Sequence, residues 1–219
     1  MARSSLDVYE TVRSRVVSGF YPPGAHLTEA ALCAELRVSR TPVRTALRQL
    51  GEEGLIRVEP NKGAFVAEYT RTDIDEVFEL RKLLESRAAA LAATRRTQQD
   101  VTALHESVAT MVRIVGENAA DRLDELHHNN RDFHNTILAA ARAPRTFRMA
   151  QSLTQTSVTL GTFFSYSEED ISRSVQVHRD LARAIEHRQA SLASSLMSAH
   201  LELAHTTFVA RRFGEDAPG

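Results

Sequence analysis

Val38-Ser39-Arg40-Thr41-Pro42-Val43-Arg44-Thr45-Ala46-Leu47-Arg48-Gln49-Leu50 is the stretch that decides the fold of the N-terminal part of this chain. Arg40, Arg44 and Arg48 recur at i, i+4 and i+8 and form one stripe of a helix, while Val43, Leu47 and Leu50 form the opposite, packing side. Ser39 stands where an N-cap is wanted, and Pro42 falls in the first turn, where the missing N–H costs nothing. No acidic residue interrupts Leu36 to Leu50. Just upstream, Thr28-Glu29 followed by Ala31, Leu32 and Leu36 predicts a short capped helix. A short helix, a tight turn and a second helix that opens on Ser39 and Arg40 is what a helix-turn-helix needs, because its recognition helix offers N-terminal residues to base edges.

Working outward, Leu6, Val8, Tyr9, Val12, Val16 and Val17 keep helical spacing up to Ser18, where Gly19 to Gly24 brings two glycines and two prolines. After Gly54, Leu55-Ile56-Arg57-Val58 and Ala64-Phe65-Val66 flank Pro60-Asn61-Lys62-Gly63, the pattern of a hairpin. Three helices and a hairpin make a small first domain over residues 1–70, whose tip offers Lys62 and the backbone of Gly63 to phosphate or minor groove, as a wing does. Those residues hold nine Lys/Arg and eight Asp/Glu, so the basic character is local. From Thr72 the pattern changes to long helices with breaks near Thr97, Glu117 to Ala120, Pro144, Ser165 to Ser167 and Arg188 to Ala190, giving about six helices over residues 71–219. The expected fold is mainly α: a winged helix-turn-helix followed by a six-helix antiparallel bundle.

Composition narrows the class. In 219 residues, 42% hydrophobic and 25% charged, Lys+Arg 27 balances Asp+Glu 28, so a soluble folded chain is expected with no whole-chain attraction to nucleic acid or membrane. Cys33 is the single cysteine, which excludes an internal disulfide and any multi-thiolate site and fits a reducing, cytoplasmic setting. No apolar run reaches the ~18 residues of a membrane span, and the N-terminus has no signal core.

Nine histidines are present, and His134, His178 and His200 stand out. With the last two helices turning at Gln189, His178 and His200 each lie eleven residues from the turn, so an antiparallel hairpin brings them to one height. Asn130 shares a helical face with His134, whereas Asp132 points elsewhere. Three neutral imidazoles converging inside a bundle suit zinc, or nickel or another first-row divalent ion, with an oxygen ligand or water completing the shell. On the first long helix Ile74, Val77, Leu84, Ala88 and Leu91 form an apolar stripe in which Arg81 fills the i+7 position. A buried guanidinium demands an anion, either a small carboxylate effector or Glu85 at i+4, and the two readings can coexist. His127, Thr156, Thr159, Phe163 and Tyr166 are further candidates to line such a cavity, each more often ordinary packing or surface.

Pro23-Gly24, Leu27-Thr28-Glu29, Val38 through Leu47, Gly54-Leu55-Ile56 and Lys62-Gly63-Ala64-Phe65-Val66 resemble the winged-helix domain of GntR-family transcriptional regulators. The resemblance implies base or phosphate contacts for Arg40 and Arg44, phosphate contacts for Ser39 and Thr41, and minor-groove approach for Gly63. Ala30 departs from the pattern, since many relatives carry an arginine there and one usual contact is lost. Glu79-Leu80-Arg81, Leu84-Glu85, Asn130 through His134, His178 and His200 resemble the FCD effector domain of the FadR branch, in its six-helix VanR-like subdivision. In metal-binding members an Asp or Asn four residues before the first histidine joins three histidines. Asn130 is a weaker ligand than a carboxylate, with water a possible intermediary.

Together these imply a bacterial, nucleoid-associated repressor that binds double-stranded operator DNA as a homodimer and is released by a small carboxylate effector bound near the metal. Two alternatives are weighed: a regulator whose metal is purely structural, and a metallohydrolase. No glutamate follows the histidine motif as a general base, and the latter leaves the winged helix unexplained.

Overall fold

The structure is a computed structural model. It describes residues 5–17, 19–59, 62–117, 122–160 and 166–214, without the side chains of 5, 17, 152 and 154–160. The chain divides into two compact units, the first over residues 1–69 with 159–161, the second over 70–158 and 162–219.

In the first unit, α1 (Ser5–Val17), α2 (Glu29–Leu36) and α3 (Arg40–Glu52) surround a core that includes Val8, Val12, Leu32, Val43 and Leu50. The amphipathic stripe of α3 explains its seat: Val43, Ala46, Leu47 and Leu50 are buried against α1 and α2 while Arg40, Arg44 and Arg48 stay exposed. Thr28 caps α2 by accepting from the Ala31 amide at 3.1 Å. The helix stops at Arg37, whose left-handed backbone (φ 56°) turns the chain into α3.

The hairpin strands are β2 (Ile56–Glu59) and β3 (Gly63–Val66), and a two-residue strand β1 (His26–Leu27) pairs with the other edge of β3. The sheet order is β1-β3-β2, so the sequence expectation of a two-stranded hairpin is one strand short. Two residues are too few to show a period-2 pattern, and β1 exists because β3 offers it a partner edge.

The second unit comprises α4 (Arg71–Arg95), α5 (Gln98–Gly116), α6 (Arg122–Ala140), α7 (Pro144–Leu160), α8 (Glu168–Glu186) and α9 (Ala190–Phe213). Breaks expected near Thr97, Pro144, Ser167 and Arg188 fall where these helices end. Thr70, Thr97 and Ser167 each close a capping box with Asp73, Asp100 and Asp170, which fixes the starts of α4, α5 and α8. Buried alanines 88, 89, 92 and 93 let α4 lie close to its neighbours α6, α8 and α9. The core runs through Leu104, Met111, Phe133, Ile137, Leu181 and Met197. Among the described residues no helix is long and apolar enough to cross a membrane.

Candidate nucleic-acid interface and candidate metal centre

On the first unit, Ser39, Arg40 and Thr41 are exposed at the start of α3, and Ser39 makes no side-chain cap bond. Arg44 Nε donates to both carboxylate oxygens of Glu29 at 2.8 and 2.9 Å. Arg48 pairs with Glu52 at 2.8 Å on its own helix. At the wing, Lys62 reaches Glu59 at 3.1 Å and stays 72% exposed. Pro60 and Asn61 lie outside the described residues.

Gly63 adopts φ +101°, and a Cβ there would stand 2.8 Å from His26 Nε2. His26 Nε2 lies 2.7 Å from the Lys62 carbonyl and its ring stacks on Phe65, so β1 braces the wing from below. Glycine at 63 is thus required twice, by backbone conformation and by a neighbouring ring. A groove of about 750 Å³ runs between α3 and the wing, with Leu47, Ile56 and Ala64 at its floor and Arg44, Arg48 and Arg57 on its rim.

In the second unit His134 (α6), His178 (α8) and His200 (α9) converge, their ligand atoms within 4.8 Å of one another and all three rings buried. The α8–α9 turn at Gln189 sets His178 and His200 level, with ring centroids 4.7 Å apart. Glu85 on α4 lies 2.5 Å from His134 Nδ1. A carboxylate there fixes the tautomer with the proton on Nδ1 and leaves Nε2 as an acceptor. That Nε2 is buried with no hydrogen-bond partner among the described residues. His178 Nδ1 lies 2.7 Å from the Ser174 carbonyl and so carries its proton there, and its Nε2 faces Asn130 Oδ1 at 2.8 Å. Two lone pairs do not bond each other, so either the amide presents its NH2 group to the imidazole or the two atoms share a cation.

Burial, reinforced by His134, pushes the His178 imidazole down to about 3. Burial and then the two other rings and Arg81 carry His200 well below the ordinary value, so both are neutral at pH 7 with lone pairs free for a metal. Burial pushes the Glu85 carboxyl up, but Arg81 and His134 more than offset it and hold it at about 2. Arg81 is buried, its Nε donates to Glu85 Oε1 at 2.7 Å, and its guanidinium lies over Phe78 at 5.5 Å. The Glu85 ion pair is therefore present. Among the described residues the Arg81 Nη atoms take no further hydrogen bond. A pocket of about 20 Å³ beside His200, Tyr166 and Ser174 has room for about one water.

His127 is buried in α6 outside the three-histidine cluster, and Thr156, Thr159 and Phe163 lie outside the residues whose side chains are described. Sequence reasoning missed Glu85 as the partner of His134 and Glu29 as the partner of Arg44. Glu85 and His134 lie on helices far apart in sequence, Glu29 and Arg44 on consecutive helices whose packing sets the contact, and only for Glu85 was there a local signal, its i+4 position from Arg81.

Residues 4–66 match the "Bacterial regulatory proteins, gntR family" domain and residues 76–203 match the FCD domain. The chain belongs to the GntR family. Among its relatives, the Nta operon transcriptional regulator of Aminobacter aminovorans is 25% identical over 85% of this chain and 85% of its own. The galactonate operon transcriptional repressor of Escherichia coli is 28% identical over 84% of this chain and 87% of its own. The solved E. coli McbR/YncC structure superimposes with a TM-score of 0.71 at 23% identity, covering 92% of this chain and 95% of that one, and shares the fold. This GntR-family member is a DNA-binding transcriptional regulator and not an enzyme, which removes the metallohydrolase alternative.

Proposed function

We propose that this GntR-family protein is a cytoplasmic repressor that binds operator DNA as a homodimer and responds to a small organic acid held beside a divalent metal, zinc or another first-row ion. In this reading residues 1–70 bind DNA and residues 71–219 sense the effector, with the six helices α4–α9 fitting the VanR-like subdivision of the FadR branch. Arg40 and Arg44 contact bases, Ser39, Thr41 and Lys62 contact phosphates, and Gly63 admits the wing to the minor groove. His134, His178, His200 and Asn130 hold the ion, and Arg81 receives the effector carboxylate. When bound, the ion supplies a positive charge and open coordination positions for an acid oxygen. Effector binding lowers operator affinity through its preference for one state of the protein.

The observation that carries this reading is the buried cluster itself: three converging imidazoles, one of which has a carboxylate behind it and, among the described residues, an unpartnered Nε2. Arg81 supports the anion part, since it is a buried guanidinium whose Nε alone is bonded to Glu85 among the described residues. Relatives such as the galactonate operon transcriptional repressor support repression. Metal analysis of the purified protein and of His134→Ala, His178→Ala and His200→Ala tests the site, and unchanged occupancy in all three removes it. Titration of metal-loaded protein with a panel of small carboxylates separates sensing from a purely structural ion: a panel that binds nowhere, with metal retained, favours the structural role. Arg81→Lys that still releases DNA at wild-type effector concentration takes Arg81 out of the pocket.

A further inference from the structure

Glu29 opens α2, where the helix dipole favours a carboxylate, and Thr28 caps the same turn. The left-handed Arg37 and the bond from the Val38 amide to the Cys33 carbonyl fold α2 back on α3. Glu29 thereby meets Arg44, and both of its oxygens take the single Nε–H of that arginine. The Arg44 Nη atoms have no partner among the described residues, and the side chain is 63% exposed.

We propose that Glu29 is a positioning residue for DNA recognition: its carboxylate clamps Arg44 by Nε and leaves the two Nη groups set for a guanine edge. The proposal rests on the reading of Arg44 as a base contact. An exposed arginine samples many rotamers, and an arginine free to swing satisfies itself equally well on any phosphate, which carries no sequence information. Held by Nε, the fork keeps one plane and one direction, which bidentate bonding to guanine O6 and N7 requires. Arg48 differs, because its partner Glu52 lies on the same helix and fixes nothing relative to α2. The clamp also sets a negative charge on the DNA-facing side, which weakens sequence-independent attraction to phosphate. Glu29 therefore strengthens discrimination while lowering general affinity, a combination that a merely structural residue does not produce.

The test uses the full chain, a duplex selected by the wild-type protein from a random pool, its single-base-pair variants, and a scrambled duplex. Wild type is expected to lose about tenfold or more in affinity when the base pair read by Arg44 is replaced, and Arg44→Ala is expected to lose that distinction. Glu29→Ala should flatten discrimination at that same base pair by at least about threefold, leave the other positions as they were, and bind the scrambled duplex more tightly. Glu29→Gln still accepts from Nε and should fall between wild type and Glu29→Ala, so a poorly folding alanine variant leaves the glutamine variant to decide. Glu29 variants that discriminate as wild type does, while Arg44→Ala does not, overturn the clamp and leave Arg44 as a base reader. An Arg44→Ala protein with wild-type discrimination overturns the underlying reading and the clamp with it.

Discussion

Glu85 is the residue on which the interior of the second unit turns, because one carboxylate answers both the Arg81 guanidinium and His134 Nδ1. Replacing it by Gln keeps the volume but leaves Arg81 buried without a counter-charge, a loss of about 3 to 5 kcal/mol of folding stability. The same change weakens the grip on His134 and should lower metal affinity by about 10- to 100-fold, the usual effect of removing a carboxylate behind a ligating histidine. Urea titration and competition with a chromogenic chelator read the two effects separately. Arg81→Lys, by contrast, keeps a cation beside Glu85 and should keep metal binding while weakening effector-induced release of DNA. An Arg81→Lys protein that still responds to the acid at the wild-type concentration would remove the carboxylate receptor from the scheme.

Among the elements, the capping boxes and the wing give the clearest expectations. Thr97→Ala or Ser167→Ala should cost about 1 kcal/mol each in urea unfolding, because an orphan amide at the start of α5 or α8 loses its acceptor. Partial burial pushes the Asp100 carboxyl up, but Thr97 and Arg142 bring it below its ordinary value, and the bonds from Ser167 do the same for Asp170. Folded values below the unfolded ones mean that the carboxylate part of this stabilisation is complete above about pH 3.9 and is lost as pH falls through the folded values, so the gap between the alanine variants and wild type should narrow in strong acid without closing, since the bond from the amide to the hydroxyl does not titrate. In the wing, Gly63→Ala meets both the +101° backbone and the His26 ring, and should destabilise the first unit by about 1 to 3 kcal/mol in the same measurement. The helices were legible in the sequence because their signals are local: the Thr28 cap, the breaks near Thr97, Pro144 and Ser167, the Arg40-Arg44-Arg48 stripe. β1 and the clamps of Glu29 and Glu85 were not, since each exists only through a partner 15 or more residues away. The three histidines were legible because the α8–α9 hairpin turns a sequence interval into a spatial height, whereas the neighbourhood of Arg81 depends on how α4 meets α6 and α8.

At the scale of the whole chain, the residues proposed to meet DNA lie within residues 26–63 and the histidine cluster with its Glu85 partner within residues 85–200, in different compact units. Scanning calorimetry should therefore show the ion raising the transition of the second unit alone, with about 2.7 kcal/mol of stabilisation at a free metal concentration 100 times the Kd. A shift of both transitions by equal amounts would argue against a site confined to residues 85–200. His134, His178 and His200 are buried, and among the described residues the pocket of about 20 Å³ beside His200 has room for about one water. An ion, and an acid beside it, would then enter or leave as helices part, so exchange of both would run at the pace of local opening rather than of diffusion. Molecules loaded during synthesis and molecules that folded without metal would then persist side by side, and the composition of that mixed population would report the metal supply of an earlier moment rather than the present one.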